Sequence, residues 1–329
     1  MQFRTEIETP AQYPHIGYAD RILTMGSCFS ENIGGWLDQL FFDVTVNPFG
    51  VLYNPESIAH ALELLLQEKH YTEHDVFCHQ GLYHTFDHHS RFSDTDAQHF
   101  TESINRKREE ASQVLLSASH LMITFGTAWV YELKESGQIV SNCHKLPEAR
   151  FTRRRLTVEE ITARWTKLIE KLREVNPQLQ IHFTVSPIRH LKDTLHGNQL
   201  RKSTLLLAID QLQQLPSIYY FPAYEMLIDD LRDYRFYASD LTHPSEMAIE
   251  YIRDKFRQCY FTQETEKLSQ ICAKMRKALE HRPNNPDSDA YRLFLQQNIE
   301  KANQLINKNP FFALQKIVLA FQQRIKTLS

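Results

Sequence analysis

The stretch RILTMGSCFSENIGGWLDQL, residues 21–40, sets an apolar run directly before a glycine and an amphipathic run directly after it. RILTM predicts a short buried strand, and the segment after Ser27 carries Ile33 and Trp36 at helical spacing. The chain has only 9 glycines in 329 residues, so the glycine at position 26 suggests a backbone requirement. We expect a sharp strand-to-helix turn that presents Ser27 as a nucleophile.

Strand and helix patterns alternate from this stretch to about residue 260. The predicted strands are RILTM (21–25), FFDVTV (41–46), HLMITFG (120–126), LQIHFTVSP (179–187) and the start of SIYYFPAY (217–224). Such alternation predicts a parallel sheet covered by helices on both faces. Residues 76–93 predict a hairpin or an ordered excursion, and WVYEL with QIVSN predicts a second hairpin.

The last part of the chain has a different composition. Residues 261–329 contain no glycine, are rich in Lys, Gln, Glu and Leu, and are interrupted by HRPNNPDSD. We therefore predict an α/β domain over residues 1–260 and an extension of two or three helices over 261–329. These helices are expected to pack on the core or on another subunit, which allows a homo-oligomer.

Composition and charge exclude several classes of protein. A formal net charge of -3 argues against nucleic-acid binding. No apolar run is long enough for a bilayer, and the N-terminus MQFRTEIETP lacks the apolar centre of a secretory signal. Five widely spaced cysteines without a CxxC pair favour neither a zinc site nor a disulfide scaffold. These features predict a cytoplasmic protein without a membrane partner.

Small and polar residues recur where each predicted strand ends. The set comprises Gly26-Ser27, Asn47 to Gly50, Gly126-Thr127, Ser186 to His190 and Asp240 to His243. In open α/β sheets, ligand sites lie beyond the carboxyl ends of the strands. We therefore expect these residues to meet at one edge.

Ser27 requires a base to act as a nucleophile. His243 is the best candidate, and Asp240, three residues earlier, is placed to hold the other imidazole nitrogen. The turn at a helix N-terminus would supply backbone N–H groups to an oxyanion. The sequence thus predicts a Ser27–His243–Asp240 triad.

The ordered motifs MGSCFSENIG, NPFGVLYNP, HSRFS, TFGTAWVY, NCHK, SPIRH and DLTHPS resemble the GSCFA family over roughly residues 5–255. That family is grouped with the SGNH (GDSL-like) hydrolases. The resemblance implies a three-layer α/β/α flavodoxin-like fold, with Ser27 as the nucleophile and Asp240 and His243 completing the triad. It implies a reaction class and no substrate.

Two departures from the superfamily pattern affect the oxyanion site. Gly26 stands where an acidic residue usually precedes the serine, and Gly126-Thr127-Ala128 lacks the usual asparagine. We expect the N–H groups of Ser27 and Gly50 to bind the oxyanion. Asn47, Thr127 and Asn142 are candidate side-chain donors, and Asn47 ranks first because it follows the second strand.

Several other residues allow more than one interpretation. Cys28 is a rival nucleophile, although we expect it to point into the packing beneath the turn. Ser186 and His190 form a possible second pair but suit pocket lining better, and Arg189 is a candidate for binding an anionic group. His144 is equally a cleft residue or a structural one.

Three further groups have a structural and a functional interpretation. His79, His84, His88 and His89 with Asp87 suit a polar lid better than a metal site. Arg153–Arg155 is expected to be a solvated loop, with attraction of a charged substrate as the alternative. Trp129 and Tyr131 are expected in the core, with a wall of a sugar or acyl site as the alternative.

Together these features predict a serine esterase that acts on a small ester and needs no metal or organic cofactor. An O-acetylated carbohydrate is the substrate suggested by fold analogy alone. An acyltransferase with the same acyl-enzyme and a degenerate ligand-binding module are the alternatives.

Overall fold

Ten strands and ten helices follow one another in the computed structural model, which describes residues 4–8 and 13–327. The strands are β1 (Arg21–Gly26), β2 (Asp43–Val46), β3 (Phe77–His79), β4 (Leu82–His84), β5 (His120–Phe125), β6 (Trp129–Leu133), β7 (Ile139–Val140), β8 (Phe151–Arg155), β9 (Gln180–Val185) and β10 (Ile218–Tyr220). The helices are α1 (Cys28–Gln39), α2 (Pro55–Leu66), α3 (Ala97–Ser117), α4 (Val158–Val175), α5 (Thr194–Leu212), α6 (Ala223–Glu225), α7 (Glu246–Tyr260), α8 (Gln263–Glu280), α9 (Asp289–Lys308) and α10 (Phe312–Lys326). The N-terminal residues 1–3 and 9–10, part of the stretch expected to lack a secretory signal, lie outside the described residues.

The central sheet is parallel and has the order β10-β9-β5-β1-β2. Counted along the chain, its strands run 2-1-3-4-5, which is the flavodoxin-like doubly wound order. Strands β1, β5 and β9 are almost wholly buried because helices cover both faces, as their continuous apolar runs predict. The predicted α/β/α architecture is confirmed.

Each face of the sheet has its own apolar core. Helices α2, α3, α4 and α5 pack on one face around Trp165, while α1 and α7 pack on the other face around Trp36. Two helices that cover the first face begin with side-chain caps. Asn54 accepts a hydrogen bond from the N–H of Ser57, and Thr157 forms a capping box with Glu160.

Helices α8, α9 and α10 join the core on the α1 and α7 face. The rings of Trp36 and Phe261 stack at 6.0 Å, and Lys316 forms an ion pair with Asp43 at 3.1 Å. The extension therefore packs on its own α/β domain. No helix in the described part of the chain combines the length and apolarity needed to cross a bilayer.

A small antiparallel sheet of order β7-β6-β8 stands beside the central sheet. Arg153, Arg154 and Arg155 all belong to β8. They pair with Tyr131, Val130 and Trp129 of β6, in that order. The expectation of a solvated loop at these arginines is wrong, because the strand pairs along its whole length. Strands β3 and β4 form the predicted hairpin.

We expect Gly26→Ala to lower the free energy of unfolding by about 3 kcal/mol or more, because a Cβ there would lie 2.3 Å from the Thr124 carbonyl oxygen. Gly35→Ala is the matched control. Its Cβ would meet nothing within 4 Å, so the helix should gain about 0.5–1 kcal/mol. Urea denaturation of both variants tests this, and equal effects at the two positions would contradict it.

Candidate active site

The turn after β1 places Ser27 at the N-cap of α1, directly before the first helical residue. Gly26 adopts φ +139°, and Ser27 caps the helix with its Oγ 3.4 Å from the N–H of Phe29. Ser27 is only 2% exposed. Because a hydroxyl that accepts from Phe29 keeps its own proton, Ser27 can still donate to a base.

Asp240 and His243 form a hydrogen-bonded pair on the loop between β10 and α7. Asp240 Oδ2 lies 2.5 Å from His243 Nδ1, and its Oδ1 accepts the backbone N–H groups of His243 and Thr242, each at 2.9 Å. Leu241 between them adopts φ +57°, which folds the loop back on itself. The His243 and Thr242 N–H groups, together with the His243 ring, hold the pKa of Asp240 well below its ordinary value.

This pairing fixes which imidazole nitrogen is available. A carboxylate at Nδ1 favours the tautomer with its proton there, so Nε2 is left as the acceptor. The His243 side chain is 52% exposed. His243 is therefore oriented as a general base that solvent and substrate can reach.

Arg189 anchors this loop to the segment after β9. Its backbone N–H donates to Thr242 O at 3.1 Å, its Nη2 donates to Leu241 O at 2.5 Å, and its guanidinium lies 4.3 Å from the Tyr237 ring. The guanidinium predicted to meet an anionic ligand thus holds the loop that carries the Asp240–His243 pair.

Helices α1 and α7 place Ser27 and His243 at the same edge of the sheet. Both helices cover one face and start at this edge, and Arg253 Nη2 in α7 donates to Asn32 Oδ1 in α1 at 2.9 Å. Among the described residues, no hydrogen bond joins Ser27 to His243. Such catalytic contacts often tighten only when substrate binds.

Asn47 is the predicted oxyanion donor whose position fits best. Its Oδ1 accepts the N–H of Gly26 at 2.9 Å, so its Nδ2 lies next to the Ser27 turn, and this Nδ2 is buried without a hydrogen-bond partner in the described chain. The backbone N–H groups of Ser27 and Gly50, which were expected to bind the oxyanion, both donate to carbonyl groups of the chain instead. The Ser27 N–H donates to Thr124 O at 3.2 Å, and the Gly50 N–H donates to Asn47 O at 2.8 Å.

Cys28 is half-buried. Its Sγ lies 3.7 Å from the hydroxyl of Tyr53. Ser186 is buried, and its Oγ accepts the N–H of Ile188 at 3.3 Å. Burial lowers the pKa of His190 to about 3, and the nearby Arg201 adds to this, so a Ser186–His190 pair has a weak base.

A cavity of about 390 Å³ opens beside the turn, between the ends of β5 and β9 and the small β6–β8 sheet. Its lining comprises Tyr53, Asn54, Thr127, Trp129, Tyr131, Val140, Ser141, Asn142, Cys143, Arg153, His190, Lys192, Asp193 and Arg201. Trp129 and Tyr131 line it and are partly exposed, so their expected placement in the core is wrong. Thr127, Asn142 and His190, all predicted site residues, meet in this wall.

Three of the histidines of residues 76–93 have separate partners. His84 Nδ1 lies 2.6 Å from Ser93 Oγ, His88 Nδ1 lies 2.8 Å from Thr85 Oγ1, and the N–H of His89 donates to Phe49 O at 2.9 Å. His144 is buried, with Nε2 2.7 Å from Thr85 O. Within the described residues, no group of three or more His, Cys, Asp or Glu could hold a metal ion.

Lys202 is a site residue that sequence reasoning missed. It is 0% exposed, and its Nζ donates to Gly126 O at 3.0 Å and to Ser186 O at 2.6 Å. It therefore ties the end of β5 to the end of β9 directly behind the turn. The available signal was weak, because Arg201 and Lys202 lie on a helix with no clear apolar stripe.

Two family models match the chain. The GSCFA family model covers residues 21–256, and the model for the C-terminal domain of GSCFA domain proteins covers residues 272–327. The chain belongs to the GSCFA family. No curated protein matches it in sequence.

Among solved structures, an acetyl xylan esterase (Est2A) from the rumen bacterium Butyrivibrio proteoclasticus is similar, with 12% identity and a TM-score of 0.29. The match covers 73% of this chain and 65% of that enzyme, so the chain spans less than two thirds of its length.

We expect the free energy of unfolding to fall as pH drops from about 6.5 to about 4. Burial holds the pKa of His88 at about 4 in the folded chain against about 6.5 when unfolded, so the unfolded state binds the proton first. His88→Gln should flatten this slope by about 1.4 kcal/mol per pH unit. Exposed His70→Gln is the control, and equal slopes for both variants by urea denaturation would contradict the assignment.

Proposed function

We propose that this chain is a serine esterase of the SGNH (GDSL-like) type. The observation that carries the proposal is the Asp240–His243 pair, which leaves Nε2 available on a loop anchored at the edge where Ser27 begins α1. Family membership supports this interpretation.

In the proposed reaction, His243 Nε2 takes the Ser27 proton while Oγ attacks the ester carbonyl carbon. Asp240 keeps the imidazole oriented and stabilises its positive charge. Asn47 Nδ2 donates to the oxyanion, and the N-terminus of α1 adds favourable electrostatics. His243 then gives its proton to the leaving alcohol, and water releases the acid.

The substrate of this proposal is a small ester, such as an O-acetylated carbohydrate. The partly exposed rings of Trp129 and Tyr131 beside the turn support a ring-shaped alcohol part.

We expect Ser27→Ala to lower kcat for 4-nitrophenyl acetate on the order of 10⁴-fold, because the variant removes the proposed nucleophilic hydroxyl. Labelling by a fluorophosphonate probe should disappear in the same variant. Cys28→Ala is the control and should keep labelling and turnover. A folded wild-type chain that neither turns over the ester nor reacts with the probe would favour a ligand-binding module.

We expect Asp240→Asn to lower kcat on the order of 10⁴-fold with little change in KM, because an amide at Nδ1 no longer selects the catalytic tautomer. Asp229→Asn removes an exposed carboxylate that pairs only with Arg232, at 3.9 Å, and should retain wild-type rates. Steady-state kinetics near neutral pH decides this, and comparable rates in the two variants would exclude Asp240 from the triad.

A further inference from the structure

The cavity lies close to the turn that carries the proposed nucleophile, because Tyr53 and Thr127 of its lining are neighbours of Gly126. A Cβ on Gly126 would lie 3.3 Å from Ser27 Cβ and 3.1 Å from Tyr53 O, and Thr127 and Tyr53 both line the cavity. A substrate whose reacting ester lies at Ser27 can therefore extend into this space.

Positive charge is in excess around the cavity. Arg153, Arg201 and Lys192 line it, and among the described residues Asp193 is the single carboxylate that does. Both arginines share that carboxylate, at 2.5 Å and 3.3 Å. Lys192 approaches only Glu148, which is 90% exposed, at 3.5 Å.

Hydrogen-bond donors are in excess as well. Arg153 Nε, Arg201 Nε and Trp129 Nε1 are buried and have no acceptor in the described part of the chain. Two side-chain oxygens of the wall already accept hydrogen bonds. Thr127 Oγ1 accepts the backbone N–H of Trp129, and Asn142 Oδ1 accepts the backbone N–H of His144. Buried donors without acceptors are rare in folded proteins because they lose their hydration.

Arg164, which lies outside the cavity, is fully compensated by carboxylates. It pairs with Glu56 at 2.9 Å and with Glu63 at 2.7 Å, so one guanidinium has two carboxylates. At the cavity, Arg153 and Arg201 share the single carboxylate of Asp193, and the Lys192 ammonium has only the exposed Glu148 at 3.5 Å among the described residues. Burial lowers the pKa of Arg201 to about 10, and Arg153 adds to this effect, as expected where cations are undercompensated.

We propose that this cavity binds a carboxylate of the substrate, so that the preferred ester is an anionic one. This inference rests on the proposed esterase function. Guanidinium groups recognise carboxylates through paired, charge-assisted hydrogen bonds, and Arg153 with Lys192 lies at the accessible part of the wall. The carboxylate can belong to the acyl part or to the alcohol part of the ester.

Two pairs of substrates test the proposal and show whether the carboxylate belongs to the acyl part or to the alcohol part of the ester. 4-Nitrophenyl hemisuccinate carries its carboxylate in the acyl part, and 4-acetoxybenzoate carries it in the alcohol part. Each is compared with its methyl ester after division by the uncatalysed rate. For one pair, kcat/KM should favour the carboxylate by roughly 10-fold or more.

Variants on β8 and beside it locate the effect. Arg153→Gln and Lys192→Gln should each reduce that preference several-fold or more. Arg155→Gln removes the same charge from the same strand at an exposed position outside the cavity, and it should keep the preference. Lys192 is 69% exposed, so its variant remains informative if Arg153→Gln fails to fold. No preference in the wild type, or an equal loss in Arg155→Gln, would overturn the proposal.

Calorimetric binding to Ser27→Ala separates this inference from the esterase proposal. The probes are 4-hydroxybenzoate, a reaction product, and monomethyl succinate, whose methyl ester stands in for the reacting ester, each against its uncharged methyl ester. Selective binding of a carboxylate that depends on Lys192 supports the cavity even if no ester is hydrolysed. Hydrolysis without any carboxylate preference retains the esterase and refutes the cavity assignment.

Discussion

The close approach of β1 to β5 at Gly26 and Thr124 is the constraint on which the site depends. The space that a side chain at position 26 would occupy is filled by the Thr124 backbone, so the chain passes there only without a Cβ. The next residue, Ser27, then starts α1 at the sheet edge, and the Gly26 N–H reaches Asn47 on the loop after β2. One steric requirement thus sets Ser27, the N-terminus of α1 and the Asn47 amide relative to one another.

Long cationic side chains fasten the remaining loops, and they do so through backbone carbonyls. Lys202 joins the ends of β5 and β9, Arg189 joins the β9 end to the loop of Asp240, and Arg91 donates to Asn47 O at 2.8 Å. Burial holds the pKa of Lys202 well below its ordinary value, and its two carbonyl acceptors satisfy it without a carboxylate. The acceptors of Lys202 lie at the ends of two strands, so that contact holds its segments more rigidly than a surface ion pair would.

The fold and the Asp240–His243 pairing were predictable from sequence because both depend on local pattern. Apolar runs that end in small or polar residues mark buried parallel strands, and a serine after glycine or a DxxH segment can be recognised within a few residues. What the sequence did not reveal depends on distant contacts. The polar composition of β8 predicts a loop at Arg153, and only the pairing with β6 shows that this segment is a strand. Lys202 gives no local signal, because its acceptors lie 76 and 16 residues away.

The site divides into a buried half and an exposed half, and this division bears on how it would work. Ser27 and Asn47 are held inside the turn, whereas Asp240 and His243 lie on a half-exposed loop that Arg189 anchors from beneath. A hydroxyl in such a setting loses little orientation on binding substrate, while the imidazole keeps access to the water needed for the second step. The donor-rich cavity would orient the substrate, because an anion held at Arg153 and Lys192 would fix one of its ends. In the proposed reaction, the ester bond would then lie between the serine and the histidine, so that recognition of the charge would also position the reacting carbonyl.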